Sequence, residues 1–287
     1  MRKLRDSLIQ LFQDSWHSHN PAARVKAISI QEALVLLTAD TSKPYGVGYR
    51  LLSHDTMHRY IMVVHCPDQA FYPDAIRTYL QKQGIQPIHQ ESILFSNIDI
   101  LGAGQDTKQI QPEKGLFLVL HLAAATTDNI KGVHQDIQHI LAGVYQSVVD
   151  FPSMFSEIER IVICLSRDEP ETANLLQWMV EGHYLFFGLS YLGESHKNKG
   201  ICKNKRLLSW LLPTSVEELA HISKADKPGM NWLHLSSTFS HLYSATNVKA
   251  VRICWEEGAT LHSVIMIGHF FKKCSTGSPI ISSYGYL

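Results

Sequence analysis

The stretch from 57 to 124 limits the fold most, because three strand-like runs enclose one short helix and one long loop. The run MHRYIMVVHC at 57–66 is dense in β-branched and apolar residues and has the length of a strand. A helix is predicted after it, with Pro73 near its start and Gly84 just past its end. Two further strands are predicted, IQPIHQESILF at 85–95 and GLFLVLHLAA at 115–124. This order predicts a sheet with a helix packed on it.

A long amphipathic helix is predicted next, beginning at Asp128 and ending before Phe151 and Pro152, because its apolar residues recur every three or four positions. The run ERIVICLS at 159–166 predicts a closing strand. The expected order is therefore βαββαβ, the ferredoxin-like plan, in an α+β domain over 47–166. A helical lead-in over 1–46 is expected to end at the Pro- and Gly-containing stretch 41–50.

The helix and strand patterns in the second half, 168–287, predict another α+β domain with an antiparallel sheet. Asp168 and Glu171 have capping-box spacing before a short helix, and Gly182 follows as its stop. HYLFFGLSYL at 183–192 then predicts a strand, and a short helix is expected from Thr214. Three more strands are predicted at 232–239, 247–255 and 262–271, the last two joined by a turn at 256–258.

Composition excludes several classes of protein. The 287 residues are 45% hydrophobic and 18% charged, with 26 basic and 26 acidic side chains, so neither a disordered chain nor a strongly basic nucleic-acid binder is indicated. The five cysteines are odd in number and contain no C-x-x-C pair, which favours a reducing compartment. No apolar run is long enough to span a membrane. We expect a cytoplasmic protein without nucleic-acid or membrane partners.

Motifs for catalysis or metal binding are incomplete. The 16 histidines include no H-E-x-x-H pair, so no metal site is predicted. The segment from Gly188 to Gly193 resembles a nucleophile elbow but has one residue too many. A hydrolase using Ser190 or Cys66 stays open as an alternative. The basic residues Lys197, Lys199, Lys203, Lys205 and Arg206 fit contact with a polyanion or an acidic partner, or simply a solvated loop.

One segment, RYIMVVHCPDQAFYPDAIRTYLQKQGI at 59–85, resembles the N-terminal regulatory region of the very large bacterial NAD-specific glutamate dehydrogenases. Asp68, Phe71 and Asp74 match that family's D-x-P-F-L-V-D-S-V-like turn, and Ala70 replaces its proline. In the family this segment belongs to an ACT-type domain, a ferredoxin-like fold that commonly binds amino acids. The resemblance thus implies the same fold that the strand and helix order predicts.

Three further segments extend the resemblance, in collinear order, over roughly 47–271. The segment at 115–158 is similar to the family's strand, long helix and D-[WF]-x-x-M ending, here Asp150, Phe151 and Met154. The segment at 171–192 is the most specific, and the segment at 240–271 is the loosest, with Leu242 where the family has arginine. Residues matching the family in these two segments, with no role assigned to them, are Trp178, His183, Gly188, His241, Arg252 and Gly268.

The resemblance implies a non-catalytic regulatory or assembly region, either a fragment of such an enzyme or a short homologue. The family's glutamate oxidation belongs to a separate, later region, so NAD would bind there and no cofactor is expected in this chain. The ligand-binding candidates are Asp68, Phe71 and Asp74: backbone donors at the helix start would hold an amino acid's carboxylate while Asp68 meets its ammonium. The alternative is that both aspartates only cap the helix.

The expected partners follow from the same resemblance. They are an amino-acid effector and either a second copy of the chain, since ACT-like domains often pair side by side, or a catalytic glutamate dehydrogenase chain. A stand-alone structural interaction module without a ligand is the competing interpretation.

Overall fold

The computed structural model describes residues 44–53, 58–69, 71–96, 114–124, 127–192, 195–211, 228–233 and 248–270. The chain is α+β and divides into two compact units, Met1–Ala142 and Gly143–Leu287. The predicted lead-in over 1–46 lies almost wholly outside the described residues, as do the predicted helix from Thr214 and the family match His241.

The first unit contains a four-stranded antiparallel sheet with the strand order β1-β2-β4-β3. The helix α1 connects β2 to β3, and β4 lies between these two strands. The elements are β1 (Gly46–Ser53), β2 (His58–Pro67), α1 (Tyr72–Lys82), β3 (His89–Ser96) and β4 (Lys114–Ala124).

The core of this unit forms where the sequence is most apolar. Residues from Tyr60 to Val64 in the central strand β2 are all at most 1% exposed, so both faces of that strand are covered. The helix α1 buries the apolar stripe predicted between Pro73 and Gly84, and Gly84 follows it with a φ of 68°. The helix and the three strands β2, β3 and β4 therefore lie close to where the sequence predicts them.

A single helix, α2 (Thr127–Leu165), follows β4 and crosses the division between the units. It runs through Pro152, so the predicted end at Phe151 is wrong, although the proline removes one backbone donor from the helix interior. The strand predicted at 159–166 is wrong as well. Its buried residues, Ile161 and Leu165, have helical spacing, and its β-branched content obscured that period.

The edge position beside β2 is occupied by β1, from the N-terminal side, instead of by a closing strand. The sequence predicts a break at the glycines of β1, but Gly46 and Gly48 pair with His65 and Val63 of β2. The order in the first unit is thus ββαββα and not βαββαβ. Glycine inside a strand weakens the strand signal without excluding pairing, which is the physical reason for the error.

The second unit contains a five-stranded antiparallel sheet with the order β6-β5-β9-β8-β7. Its strand β5 and the hairpin β8–β9 confirm three of the predicted strands. The elements after α2 are α3 (Pro170–Trp178), β5 (Tyr184–Tyr191), β6 (Lys199–Gly200), α4 (Lys205–Leu211), β7 (Gly229–Leu233), β8 (Lys249–Glu257) and β9 (Thr260–Phe270).

The helix-covered face of this sheet builds the core of the second unit. Met154, Ile158 and Ile161 from α2 and Leu176 from α3 pack on strand residues that include Trp255. Gly182, with a φ of 97°, lies in the π-helical turn after α3 and leads into β5. The predicted capping box is wrong, because α3 begins after Glu169 and no side chain caps it.

Three glycines let the second unit's backbone segments approach closely. A Cβ at Gly188 would lie 2.7 Å from Cys202 Sγ. A Cβ at Gly200 would overlap the Phe187 carbonyl, and one at Gly268 would overlap the Leu185 carbonyl. Gly188 and Gly268 therefore have a packing role.

We predict that Gly268→Ala destabilises the second unit by about 1 to 3 kcal/mol, because the added methyl overlaps backbone. Gly132→Ala is the matched control: its Cβ would meet nothing within 4 Å on a helix interior, so it should stabilise by about 0.5 to 1 kcal/mol. Urea denaturation followed by circular dichroism measures both. Equal stability of the Gly268→Ala variant and the wild type would contradict the packing role.

Candidate functional site

A cleft of about 540 Å³ lies in the second unit, between the segment after β5, the second half of α2 and the β8–β9 hairpin. One wall, the basic wall, carries His196 and the three lysines Lys197, Lys199 and Lys203. The opposite wall carries Glu157 and Arg160 from α2 and Trp255, Glu257 and His262 from the hairpin. The cleft thus has more cationic than anionic groups in its lining.

The basic wall is held in shape by an asparagine and a buried aspartate. Asn198 accepts a hydrogen bond from the Tyr191 N–H at 2.9 Å and donates to the Cys202 carbonyl at 3.3 Å. Gly200, with a φ of 61°, donates its N–H to Asp150 Oδ2 at 2.7 Å. The backbone from 198 to 202 is therefore held in place by hydrogen bonds along its length.

Asp150 lies on α2 and is only 7% exposed. Besides the Gly200 N–H, its carboxylate accepts hydrogen bonds from Lys203 Nζ at 2.8 Å and from Gln146 Nε2 at 3.2 Å. A buried carboxylate is stable only when it is paired and hydrogen-bonded, and these three donors meet that condition. Asp150 therefore has a local structural role.

Arg160 organises the opposite wall. Its guanidinium donates to Glu157 Oε1 at 2.8 Å and to Glu257 Oε2 at 2.7 Å, and it lies 5.6 Å from the centre of the Trp255 ring. His262 stacks on Trp255 at 5.4 Å. Trp255 lines the cleft, and its side chain is almost fully buried.

The charges of this wall compensate one another. Burial opposes ionisation of Glu157, but hydrogen bonds from Arg160 and Tyr191 and the charges of Arg160 and Lys199 outweigh it and lower its pKa. The hydrogen bond to Glu157 raises the pKa of Arg160 above its ordinary value, although burial opposes this effect. Arg160 is therefore ion-paired with two carboxylates of the protein itself.

The predicted residues lie in the first unit, around the start of α1. Asp68 and Phe71 are in the turn after β2, and Asp74 is in the first turn of the helix. Asp68 is exposed and its N–H donates to the Lys114 carbonyl at 2.9 Å. Asp74 pairs with Arg77 at 3.2 Å, and both side chains are more than half exposed. Phe71 begins the helix with a φ of 80°, and no side chain caps α1.

A second cavity of about 320 Å³ in the first unit is lined mostly by α1 and the loop after it, with Gln90 of β3 and two leucines of β4. It includes Pro73 and Arg77 but none of the three predicted residues. The turn that holds these residues is thus not part of either cavity.

The family matches in the second unit lie in different places. Trp178 stacks on His183, with ring centres 4.4 Å apart and planes 7° apart, and Phe270 lies 6.0 Å from Trp178. Arg252 Nε donates to Ser263 Oγ at 2.9 Å. None of these residues lines the basic cleft.

The alternative nucleophiles are not accessible. Cys66 is 1% exposed, and burial together with the charge of Asp68 raises the pKa of its thiol to about 12. Burial lowers the pKa of the adjacent His65 to about 4. Ser190 is 6% exposed within β5. In the part of the chain that the structure describes, three or more His, Cys, Asp or Glu side chains do not come together as metal ligands.

No helix among the described residues is both long and apolar enough to cross a membrane. Models of known protein families do not match the sequence, and curated proteins do not match it either.

Sequence reasoning identified the lysines of the cleft but not its opposite wall. Glu157 and Arg160 are three residues apart, a helical spacing, but Arg160 fell within the predicted strand 159–166. Trp255, Glu257 and His262 join them only through the pairing of β8 with β9, which places Trp255 opposite His262. The recurring spacing of Ile158, Ile161 and Leu165 was the one signal that could have revealed the helix.

We predict that Glu157 stabilises the protein at neutral pH but not in acid. Its pKa is lowered from an ordinary value of 4.5, so its contribution is complete above that pH and disappears as the pH falls through the lowered value. Because Glu157 is partly exposed, Glu157→Gln should cost at most about 1 kcal/mol at pH 7. Urea denaturation at pH 7 and in steps below 4.5 should show this difference shrinking towards zero.

Glu159→Gln, at an exposed position in the interior of the same helix α2, is the control and should differ little from the wild type. A Glu157→Gln deficit that stays constant down to acid pH would show that the Arg160 contact does not stabilise the folded state through charge.

Proposed function

We propose that this chain is a non-catalytic regulatory or assembly region related to the N-terminus of the NAD-specific glutamate dehydrogenases. The strand order of the first sheet carries the proposal. β2, α1 and β3 make a split β-α-β unit with β4 inserted between the two strands, as in the ferredoxin-like plan on which ACT-type domains are built. In this interpretation β1 takes the edge position of the plan's last strand.

The burial of the candidate nucleophiles supports a binding role over a hydrolytic one. A thiol with its pKa raised to about 12 is not a thiolate at neutral pH, and the hydroxyl of Ser190 lies within a paired strand. In the proposed function NAD would bind to a separate catalytic region. The partners would be that region or a second copy of this chain, in the cytoplasm.

The proposed effector is an amino acid bound at the turn between β2 and α1. Two observations favour this turn: α1 has no side-chain cap, and Phe71 adopts a left-handed conformation that a residue other than glycine rarely takes. An effector carboxylate would bind at the uncapped start of α1, where the helix dipole favours an anion. The exposed Asp68 would bind its ammonium group.

The competing function is a structural interaction module without a ligand. It is favoured by the edge strand β3, where Leu94 is 65% exposed. An exposed apolar side chain on an edge strand is a common site of pairing with another chain.

We predict that at least one of the common amino acids raises the melting temperature of the full chain, because a ligand that binds only the folded state stabilises it. Thermal melts with a panel of amino acids identify the ligand, and calorimetry gives its affinity. Asp68→Asn should weaken this binding by about tenfold through loss of one charge-assisted contact. Asp168→Asn, at an exposed aspartate of the second unit, is the control and should bind like the wild type.

No thermal shift and no heat with any amino acid would end the proposed sensing role. A stable dimer in light scattering, combined with that result, would establish the competing structural role instead.

A further inference from the structure

We propose that the second cavity, in the first unit, binds a small uncharged molecule that combines an aliphatic group with an amide. The cavity is separate from the proposed amino-acid site, because Asp68, Phe71 and Asp74 do not line it. Its volume of about 320 Å³ lies at the lower end of the range of small-molecule sites, so it suits a ligand with few heavy atoms.

Most of the cavity lining is aliphatic. Seven of the eleven lining residues are apolar. Four of these seven are at most 2% exposed and belong to the core of the unit: Ile76 and Leu80 of α1, and Leu118 and Leu120 of β4. An aliphatic group that contacts them leaves water, and the free energy gained is proportional to the apolar area removed from the solvent. The lining therefore favours a ligand with an apolar body.

Three glutamines supply most of the polar lining. Gln81 comes from α1, Gln86 from the loop after it and Gln90 from β3, so three separate elements bring amides to one cavity. Among the described residues, these three side chains have no protein partner within hydrogen-bond distance. Each side-chain amide offers both donors and an acceptor. A ligand amide also offers both, so it can donate to one glutamine and accept from another.

The lining carries little net charge. Arg77 is the single ionisable residue among the lining residues, and its guanidinium donates to Asp74 Oδ1 at 3.2 Å. An acidic ligand would therefore have to compete with Asp74 for this cation. A charged group that enters an apolar cavity loses its hydration and needs a partner of opposite charge to compensate. The cavity thus favours an uncharged polar group over a carboxylate or an ammonium.

The loop that carries Gln86 is held by backbone hydrogen bonds on both sides of this residue. The Ile85 N–H donates to the Leu80 carbonyl at 2.9 Å, and the Ile88 N–H donates to the His121 carbonyl at 2.7 Å. The glutamine of β3 lies in a strand that pairs with β4 along its whole length. The backbone behind these two amides is therefore preorganised, which reduces the entropy lost when a ligand binds.

The test compares isocaproamide with isocaproate, which have the same aliphatic body but carry an amide and a carboxylate, respectively. Titration of the full chain followed by NMR gives both dissociation constants. Isocaproamide should bind more tightly and shift the side-chain amide signals of Gln86 and Gln90. Gln86→Met and Gln90→Met should each weaken its binding by about fivefold, the effect of one hydrogen bond between uncharged groups.

Gln83→Met is the matched control, because Gln83 is an exposed glutamine just after α1 that does not line the cavity. It should bind isocaproamide like the wild type. Circular dichroism checks that all three variants fold.

The proposal would be overturned by equal binding of isocaproamide to the wild type and both cavity variants, by no binding at all, or by tighter binding of isocaproate. Asp68→Asn should keep the binding of isocaproamide, and Gln86→Met should keep the amino-acid response of the full chain. Failure of this proposal is therefore distinguishable from failure of the proposed amino-acid sensing.

Discussion

The cleft of the second unit depends on the contacts that the buried carboxylate of Asp150 makes with Gly200 and Lys203. This carboxylate accepts the Gly200 N–H at 2.7 Å and pairs with Lys203 at 2.7 Å, from a position that is only 7% exposed. Without it the Gly200 N–H would lose its acceptor inside the protein, and an unsatisfied buried donor costs about 1 to 3 kcal/mol. The left-handed turn at Gly200, and with it the position of Lys199, therefore depends on a residue 50 positions earlier in the chain.

Much of the first sheet was predictable because its signals are local. Pro73 and Gly84 bound α1 as expected, and β2 and β4 are apolar runs long enough for buried strands. The errors arose where local and tertiary signals disagree. The glycines of β1 favour a turn locally, but the strand forms because it pairs with β2. Pro152 favours the end of a helix, but α2 continues because Met154 and Ile158 pack in the core.

The cleft was less predictable than the fold, for a physical reason. Its lysines form a visible cluster in the sequence, but their surroundings depend on Asp150 and Arg160 of α2 and on Trp255 of β8, which are distant from the lysines in the chain. Only the pairing of strands and the continuation of α2 bring these groups together. In contrast, Trp178 and His183 form a ring stack and Gly268 allows a close backbone contact, so these three residues shape the second unit locally.

The most direct test of this account is amide hydrogen exchange at Gly200, measured by NMR in the wild type and in Asp150→Ala, with Asp168→Ala as the control. We predict slow exchange in the wild type and the control, and exchange faster by about a hundredfold in Asp150→Ala, because the variant removes the acceptor of that N–H. Exchange at Gly200 that is equally slow in Asp150→Ala would contradict the central claim that Asp150 holds the basic wall of the cleft in place.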